Sequence, residues 1–222
     1  MPPPKPKKAR EAIADAHVNA HALLEDLPKL HYWGGEEQVG GLNVPIGQRV
    51  ITELEGYDSP RVIETGAGAT TLLFCCLEPK AVTSIAPSEE LGERITSEAE
   101  RRGISLEPLR FLSERSEVAL PRLWADGERF DVGLIDGSHG WPAVFVDFCY
   151  INAMLPANGT LFVDDVQLFS VSQLHLLLRE QKGFEEIAVD GKLATFRKLG
   201  DDPFLPDWNW EPYIQRNSPV PS

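Results

Sequence analysis

The sequence predicts an α/β domain built on a central, mostly parallel seven-stranded sheet, with helices on both faces and an antiparallel hairpin at its C-terminal end. Three observations carry that expectation. Between residues 60 and 200, short β-branched and apolar runs alternate with helix-length segments. The run Val62-Ile63-Glu64-Thr65-Gly66-Ala67-Gly68-Ala69-Thr70-Thr71 compresses a buried strand, a glycine turn and a helix start into ten residues. Late in the chain, Asp190-Gly191 separates two alternating runs, a strong hairpin signal.

Taken in order, residues 1–9 read as a disordered basic tail, because Pro2, Pro3, Pro4 and Pro6 interrupt it and nothing apolar is available to bury. Residues 10–59 read as an N-terminal helical cap. Arg10 to Leu27 places Ile13, Ala16, Ala20, Leu23, Leu24 and Leu27 on one helical face, and Pro28 ends it. Residues 30–44, with His31, Tyr32, Trp33 and the pair Gly34-Gly35, read as an irregular segment lying over the domain. A short helix from Ile46 to Leu54 follows and is broken by Gly56 and Pro60.

The core spans residues 60–200. Its expected strands are Arg61 to Glu64, Ala81 to Ile85, Leu106 to Phe111, Phe130 to Ile135 and Thr160 to Val163, then the hairpin strands Phe184 to Val189 and Lys192 to Leu199. The intervening helices are Thr70 to Leu77, Ser88 to Arg102, Glu117 to Trp124, Pro142 to Met154 and Val171 to Gln181. Residues 201–222 form an aromatic, proline-rich tail whose Phe204, Trp208, Trp210 and Tyr213 pack over the domain, a partner subunit or the substrate mouth.

Composition narrows the function. A chain of 222 residues with 42% hydrophobic residues makes one domain with a sizeable core. The formal charge is -13, and Lys5, Lys7, Lys8 and Arg10 sit in the first ten residues without an acid, so the remainder is more acidic still. That balance argues against a nucleic-acid partner, which needs clustered Lys and Arg. No run approaches the ~20 apolar residues of a membrane span, and the N-terminus lacks the apolar core of a secretion signal. A cytoplasmic protein acting on a small-molecule substrate is expected, with homo-oligomerisation left open. Cys75, Cys76 and Cys149 have no metal or redox spacing and read as core thiols. His17 and His21 are four apart on a helix, a spacing that could in principle bind metal, but they are not read as a metal site.

The glycine turn is built for a nucleotide-like ligand. Without a Cβ, Gly66 can take a left-handed turn and Gly68 admits a ligand close to the backbone, while Thr70 or Thr71 can cap the helix. Dinucleotide-binding turns carry a third glycine and draw pyrophosphate to a helix N-terminus. Here that third position is Thr71, and the Glu64 carboxylate would repel phosphate and attract a cation. The run resembles motif I of the class I S-adenosylmethionine-dependent methyltransferases. That resemblance implies a Rossmann-like methyltransferase fold, S-adenosylmethionine as cofactor, and Glu64, Thr65, Gly66, Ala67 and Gly68 in contact with it.

A second constellation is Asp131-Val132-Gly133-Leu134-Ile135-Asp136-Gly137-Ser138-His139 with Leu161-Phe162-Val163-Asp164-Asp165. Both place acids at the C-terminal ends of expected parallel strands, where open α/β sheets bind ligands. Three carboxylates, Asp136, Asp164 and Asp165, would converge there, and like charges so close call for a compensating cation such as Mg²⁺. The stretch resembles the metal-dependent O-methyltransferases of the catechol, caffeoyl-coenzyme A and macrolide-sugar types, and the likeness covers roughly residues 60–200. It implies Mg²⁺ or another divalent cation on Asp136, Asp164 and Asp165, and Asp136 beside cofactor and substrate.

Departures from that family are informative. Asp164-Asp165 follows the sugar-modifying type, whereas the catechol type has Asp-Asn. The family's lysine near the reacting hydroxyl is His139 here, which serves either as the proton acceptor or as a brace for its loop. The acid that grips both ribose hydroxyls is replaced by Ala86, leaving Ser84, Ser88 or Glu89 to reach the ribose. Glu114 and Ser116 stand where the family clasps adenine, or else cap the following helix. The leading expectation is thus a metal-assisted small-molecule O-methyltransferase. A metal-independent methyltransferase and a non-catalytic binding protein on a degenerate methyltransferase fold are the alternatives.

Overall fold

The structure is a computed structural model that describes residues 20–33, 37–39, 41–202, 212 and 214. The basic tail, His17 and the aromatic residues of the C-terminal tail lie outside the described residues. In chain order the elements are α1 (residues 20–25 of it), β1 (His31–Trp33), β2 (Glu37–Val39), α2 (Val44–Leu54), β3 (Arg61–Thr65), α3 (Ala69–Cys76), β4 (Ala81–Ile85) and α4 (Glu89–Arg102). There follow β5 (Leu109–Leu112), α5 (Ser116–Ala125), β6 (Val132–Ile135), α6 (Ala143–Met154), β7 (Thr160–Val163), α7 (Phe169–Glu180), β8 (Phe184–Asp190) and β9 (Leu193–Lys198).

Seven strands form one sheet in the order β5-β4-β3-β6-β7-β9-β8. β3 to β7 run parallel, and β9 inserts antiparallel between β7 and β8. This is the seven-stranded architecture expected from the sequence. The chain winds outward from β3 to β5, then returns to lay β6 on the other side of β3. That reversal opens a crevice beyond the C-terminal ends of β3 and β6, the place where such sheets bind ligands.

The central strands are buried along almost their whole length because both faces are covered. Val62, Leu134 and Phe162 join one core with residues of α1 to α4, and Ile63, Ile135 and Leu161 join the other with α5, α6 and α7. Gly133 lets α6 sit close, since a Cβ there would fall 2.4 Å from Ile151 Cγ2. Helix α2 starts where the Asn43 side chain accepts the Ile46 N–H at 3.0 Å. It is tied to the hairpin by Arg49 with Asp190 and Arg197 with Glu53.

Several local expectations need correction. Residues 31–39 are not irregular: His31–Trp33 and Glu37–Val39 pair as a two-stranded antiparallel ribbon, because Tyr32 and Trp33 favour extended backbone and the glycine pair falls between the strands. The third parallel strand is Leu109–Leu112, displaced toward the C-terminus of the expected Leu106 to Phe111. Pro108 opens that strand, since it lacks the N–H that an earlier start would need. Cys149 is exposed and not a core thiol, because it lies on the outer face of α6, whereas Cys75 and Cys76 are buried. Asp190-Gly191 does mark the hairpin, but β8 keeps Asp190 and the turn is Gly191-Lys192, with Gly191 at φ +64.

Candidate active site

The glycine turn between β3 and α3 forms one wall of the crevice. Gly66 has φ +81, and a Cβ there would lie 2.1 Å from the Asp136 carbonyl oxygen, so glycine serves both the left-handed turn and the close passage of β6. Glu64 is fully buried beneath the turn. Its carboxylate accepts hydrogen bonds from Thr70 Oγ1 (2.8 Å), Thr71 Oγ1 (2.5 Å) and Ser84 Oγ (2.5 Å). Burial raises its carboxyl to about 7 against the pull of those three hydroxyls. Glu64 therefore braces the turn from below and does not stand on the crevice wall. Thr71 Oγ1 also accepts the Gly68 N–H at 2.9 Å, which starts α3.

Two cavities flank this turn. One, of about 300 Å³, is lined by Ala67, Gly68, Asp136, His139, Asp165 and Lys192 among others. The second, of about 440 Å³, runs past Gly66, Ala86, Ser88, Ser116 and Gly137. His31 borders both, and its Nε2 lies 2.8 Å from the Ala67 carbonyl oxygen. Tyr32, next to it, lies under the Arg94 guanidinium at 4.8 Å. The N-terminal ribbon is thus pinned across the crevice at the turn. Nothing in the spacing of His31 marked this role, since it is a contact across 36 residues of chain.

At the ends of β6 and β7 the acids do converge, with a rearranged membership. Asp136, His139 and Asp165 each offer a ligand atom, all within 4.8 Å of one another. His139 Nε2 is 3.4 Å from Asp136 Oδ1 and 3.5 Å from Asp165 Oδ2. That nitrogen is buried within ion-pair reach of both carboxylates, with neither contact forming a well-aligned hydrogen bond. The Asp136 carboxylate holds the His139 imidazole above its ordinary pKa, with burial opposing. Asp165 is held below the usual carboxylate range, since bonds from Gln167 and Lys192 outweigh its burial. Its backbone has φ +58, a strained left-handed position for a non-glycine residue.

Asp164, expected as the third metal ligand, is 6% exposed and its Oδ2 accepts from Lys192 Nζ at 2.7 Å. Burial pushes its carboxyl up and Lys192 pulls it down. The two acids hold Lys192 above its ordinary range against its burial, so the group facing Asp164 is an ammonium. The remaining Asp164 oxygen, Oδ1, is buried without a partner.

The other expected contacts divide. Ser88 and Ser116 do line the second cavity, although Ser88 Oγ also caps α4 by accepting the Leu91 N–H. Glu114 does not line the second cavity and forms a bidentate pair with Arg122. Thr65 is fully buried at the end of β3, under Gly137, and is not on the wall. Ala86 lines the second cavity, so that corner lacks a carboxylate at the strand end. Sequence reasoning missed Asp147, fully buried on α6 beneath Gly137, whose carboxyl burial raises to about 6. One acid in the apolar run Ala143-Val144-Phe145-Val146-Asp147-Phe148 was the signal that could have found it.

Comparisons with known proteins agree with this geometry. Residues 63–166 match the family model of a methyltransferase domain. No curated protein matches the chain. Among solved structures, TrmN from Thermus thermophilus superposes with TM-score 0.56 at 19% identity, over 80% of this chain and 53% of that one. MycE methyltransferase of the mycinamycin biosynthetic pathway, in complex with Mg and SAH, gives TM-score 0.54 at 17% identity, over 77% and 54%. The O-methyltransferase TomG from Streptomyces achromogenes, involved in tomaymycin synthesis and in complex with SAM, gives 0.57 at 15% identity, over 90% and 93%. The chain thus spans about half the length of the first two and nearly all of the third. At these identities the likeness establishes the fold.

Proposed function

We propose, from the match of residues 63–166 to a methyltransferase domain, that the chain is a class I S-adenosylmethionine-dependent enzyme that methylates a hydroxyl group of a small-molecule acceptor with help from a divalent cation. The single observation that carries the reading is the meeting of Asp136, His139 and Asp165, whose ligand atoms lie within 4.8 Å of one another on the wall of the cavity that begins at the glycine turn, with His139 Nε2 buried and in no well-formed hydrogen bond. A buried polar atom without a well-formed hydrogen bond costs free energy, so such a group is normally completed by something it binds. Two carboxylate oxygens and an imidazole nitrogen form a donor set suited to a divalent ion.

The cavities are of small-molecule size. The cofactor would lie along the turn Gly66 to Ala69, with its adenosine on the side of Ala86, Ser88 and Ser116 and its methionine end toward Asp136. S-adenosylmethionine supplies an electrophilic methyl group, and a divalent cation supplies the polarisation that lowers the pKa of an acceptor hydroxyl. The chain's own part is positioning and exclusion of water. The glycine turn admits the ligand, the His31 ribbon covers it, and Asp136 and Asp165 fix the donor set from two adjacent strand ends. The acidic charge of the chain favours a small acceptor over a nucleic acid, and a cytoplasmic setting fits the same reading. In the described residues no helix is long and apolar enough to cross a membrane.

A metal-independent variant of the reaction is favoured by one observation, the pairing of Lys192 with Asp164 and Asp165, which already compensates part of the acid charge. In that variant His139 accepts the hydroxyl proton at Nε2. Calorimetric titration with S-adenosylmethionine and with NAD, without and with Mg²⁺ or Mn²⁺, tests the reading. Binding of S-adenosylmethionine with a metal-induced rise in melting temperature is expected. A cofactor-competent protein with no response to metal would leave the metal-independent variant, and binding of NAD alone would overturn the methyltransferase reading.

A further inference from the structure

The sequence places three acids together and calls for a cation; the structure already contains one. Lys192 sits in the turn between β8 and β9, and that turn is anchored on two sides. The Val166 N–H donates to the Lys192 carbonyl oxygen at 3.0 Å, and Arg49 Nε donates to Asp190 Oδ2 at 2.7 Å. The ammonium is thereby delivered to Asp164 Oδ2 at 2.7 Å and Asp165 Oδ1 at 3.0 Å. Asp165 turns its other oxygen, Oδ2, toward His139. One carboxylate is therefore shared between a tethered cation and the imidazole, while Asp164 belongs to the tethered cation.

We propose that Lys192 is a resident counter-cation of the acid cluster, a positioning residue that keeps Asp164 out of the divalent-ion set and sets how tightly that ion is held. The identity of the exchangeable ion rests on the metal-assisted reading above. The Lys192 ammonium stands against two of the three acids and offsets part of the negative charge that a divalent ion would meet. Without it the acids would face the ion with no tethered counter-charge, and attraction between charges a few ångströms apart in a partly buried site is strong. Asp164, released from Lys192, would also be free to turn its carboxylate to the ion. Lys192 thus makes the bound ion exchangeable and its ligand set small.

The test is Mn²⁺ binding to the full chain, read by electron paramagnetic resonance without acceptor. Lys192→Met should bind Mn²⁺ roughly tenfold or more tighter than the wild type, since one unit of opposing charge is lost. Lys192→Arg, which keeps the charge, should stay within about threefold, and the double variant Lys192→Met/Asp164→Asn should lose the gain. Should Lys192→Met fail to fold, Lys192→Gln keeps hydrogen-bond donors without charge and carries the same expectation. If the wild type binds no Mn²⁺ but Lys192→Met does, the proposal stands and the metal-assisted reading falls. Weaker or unchanged binding in Lys192→Met, or no binding in either protein, overturns the proposal. With Lys192 in place, Asp165→Asn should weaken Mn²⁺ about tenfold or more and Asp164→Asn by less than about threefold. Equal losses would return Asp164 to the ligand set.

Discussion

The glycine turn and the acid cluster lie on opposite walls of one crevice, and they differ in how far each is complete without a ligand. Under the turn the buried acid is satisfied from within: Glu64 is fully buried, yet three hydroxyls from α3 and β4 donate to it. In the acid cluster, His139 Nε2 and Asp164 Oδ1 are buried and in no well-formed hydrogen bond. Asp165 is held in a strained left-handed conformation there. A site that must keep its shape is satisfied from within, and a site that must accept an ion leaves polar atoms waiting. On the proposed reading the first is architecture for a cofactor, whereas the second is where the chemistry takes place.

Gly66→Val should break the turn with the largest effect. The substituted residue would need φ near +81 and would drive its Cβ into the Asp136 carbonyl oxygen, which belongs to the neighbouring wall. Loss of S-adenosylmethionine binding is expected together with a destabilisation of about 3 kcal/mol or more. From sequence alone one expects binding to be lost without damage to the fold, but the proximity of Asp136 ties the two. Titration and thermal melts of the variant check this, and wild-type affinity would refute the assignment of the turn.

The pH dependence of stability sharpens the contrast. The folded-state pKa of Glu64 is about 7, against an ordinary value of 4.5, so between those values the folded protein holds a proton that the unfolded chain has released. Stability from this group is therefore fully present below about pH 4.5 and declines as pH rises through 7. The decline should be on the order of 3 kcal/mol. In Glu64→Gln it should vanish, so denaturant unfolding of both proteins from pH 4.5 to 7.5 should show different slopes. Parallel slopes would mean that Glu64 is ionised under the turn. On the opposite wall, Asp165→Ala should erase a Mn²⁺-induced melting shift yet leave cofactor affinity within about threefold, because the turn is self-supporting. Loss of cofactor binding in that variant would show the walls to be one unit.

The two walls were also unequally legible. The turn could be read because its demands are local: Gly66, Gly68, Thr70 and Thr71 lie within ten residues of Glu64, and each has a conformational or capping reason to be there. The succession of strands and helices followed from the same local alternation, and the hairpin from Asp190-Gly191. Membership of the acid cluster is not local. Asp136 and Asp165 could be placed at strand ends, but the partner of Asp164 comes from the turn after β8, 28 residues on, and no periodicity brings Lys192 to it. Glu114 failed for a similar reason. An Arg122 two turns into α5 satisfies it, and a salt bridge across a helix start leaves no mark that distinguishes it from a free acid. His31 was invisible because it acts through a long-range contact, with the Ala67 carbonyl oxygen 36 residues away.

The smallest expected effect concerns the corner that neither wall completes. At the end of β4 the side chain is that of Ala86, 4% exposed, lining the cavity with Ser88 and Ser116. No carboxylate stands at that strand end to accept from ribose hydroxyls, and Ser88 is partly committed to capping α4. Introducing one by Ala86→Asp would add charge-assisted hydrogen bonds worth about 1.5–3 kcal/mol to a bound ribose. Part of that gain is offset by taking a carboxylate out of water in so enclosed a place. The net expectation is S-adenosylmethionine binding roughly tenfold tighter, with methionine-side variants such as Asp165→Ala unaffected by the change. Calorimetry on the single and double variants reads this directly. Weaker binding in Ala86→Asp would mean that the serines already satisfy the ribose and that the corner is filled rather than missing a residue. Tighter binding would show that this chain holds its cofactor by the turn alone.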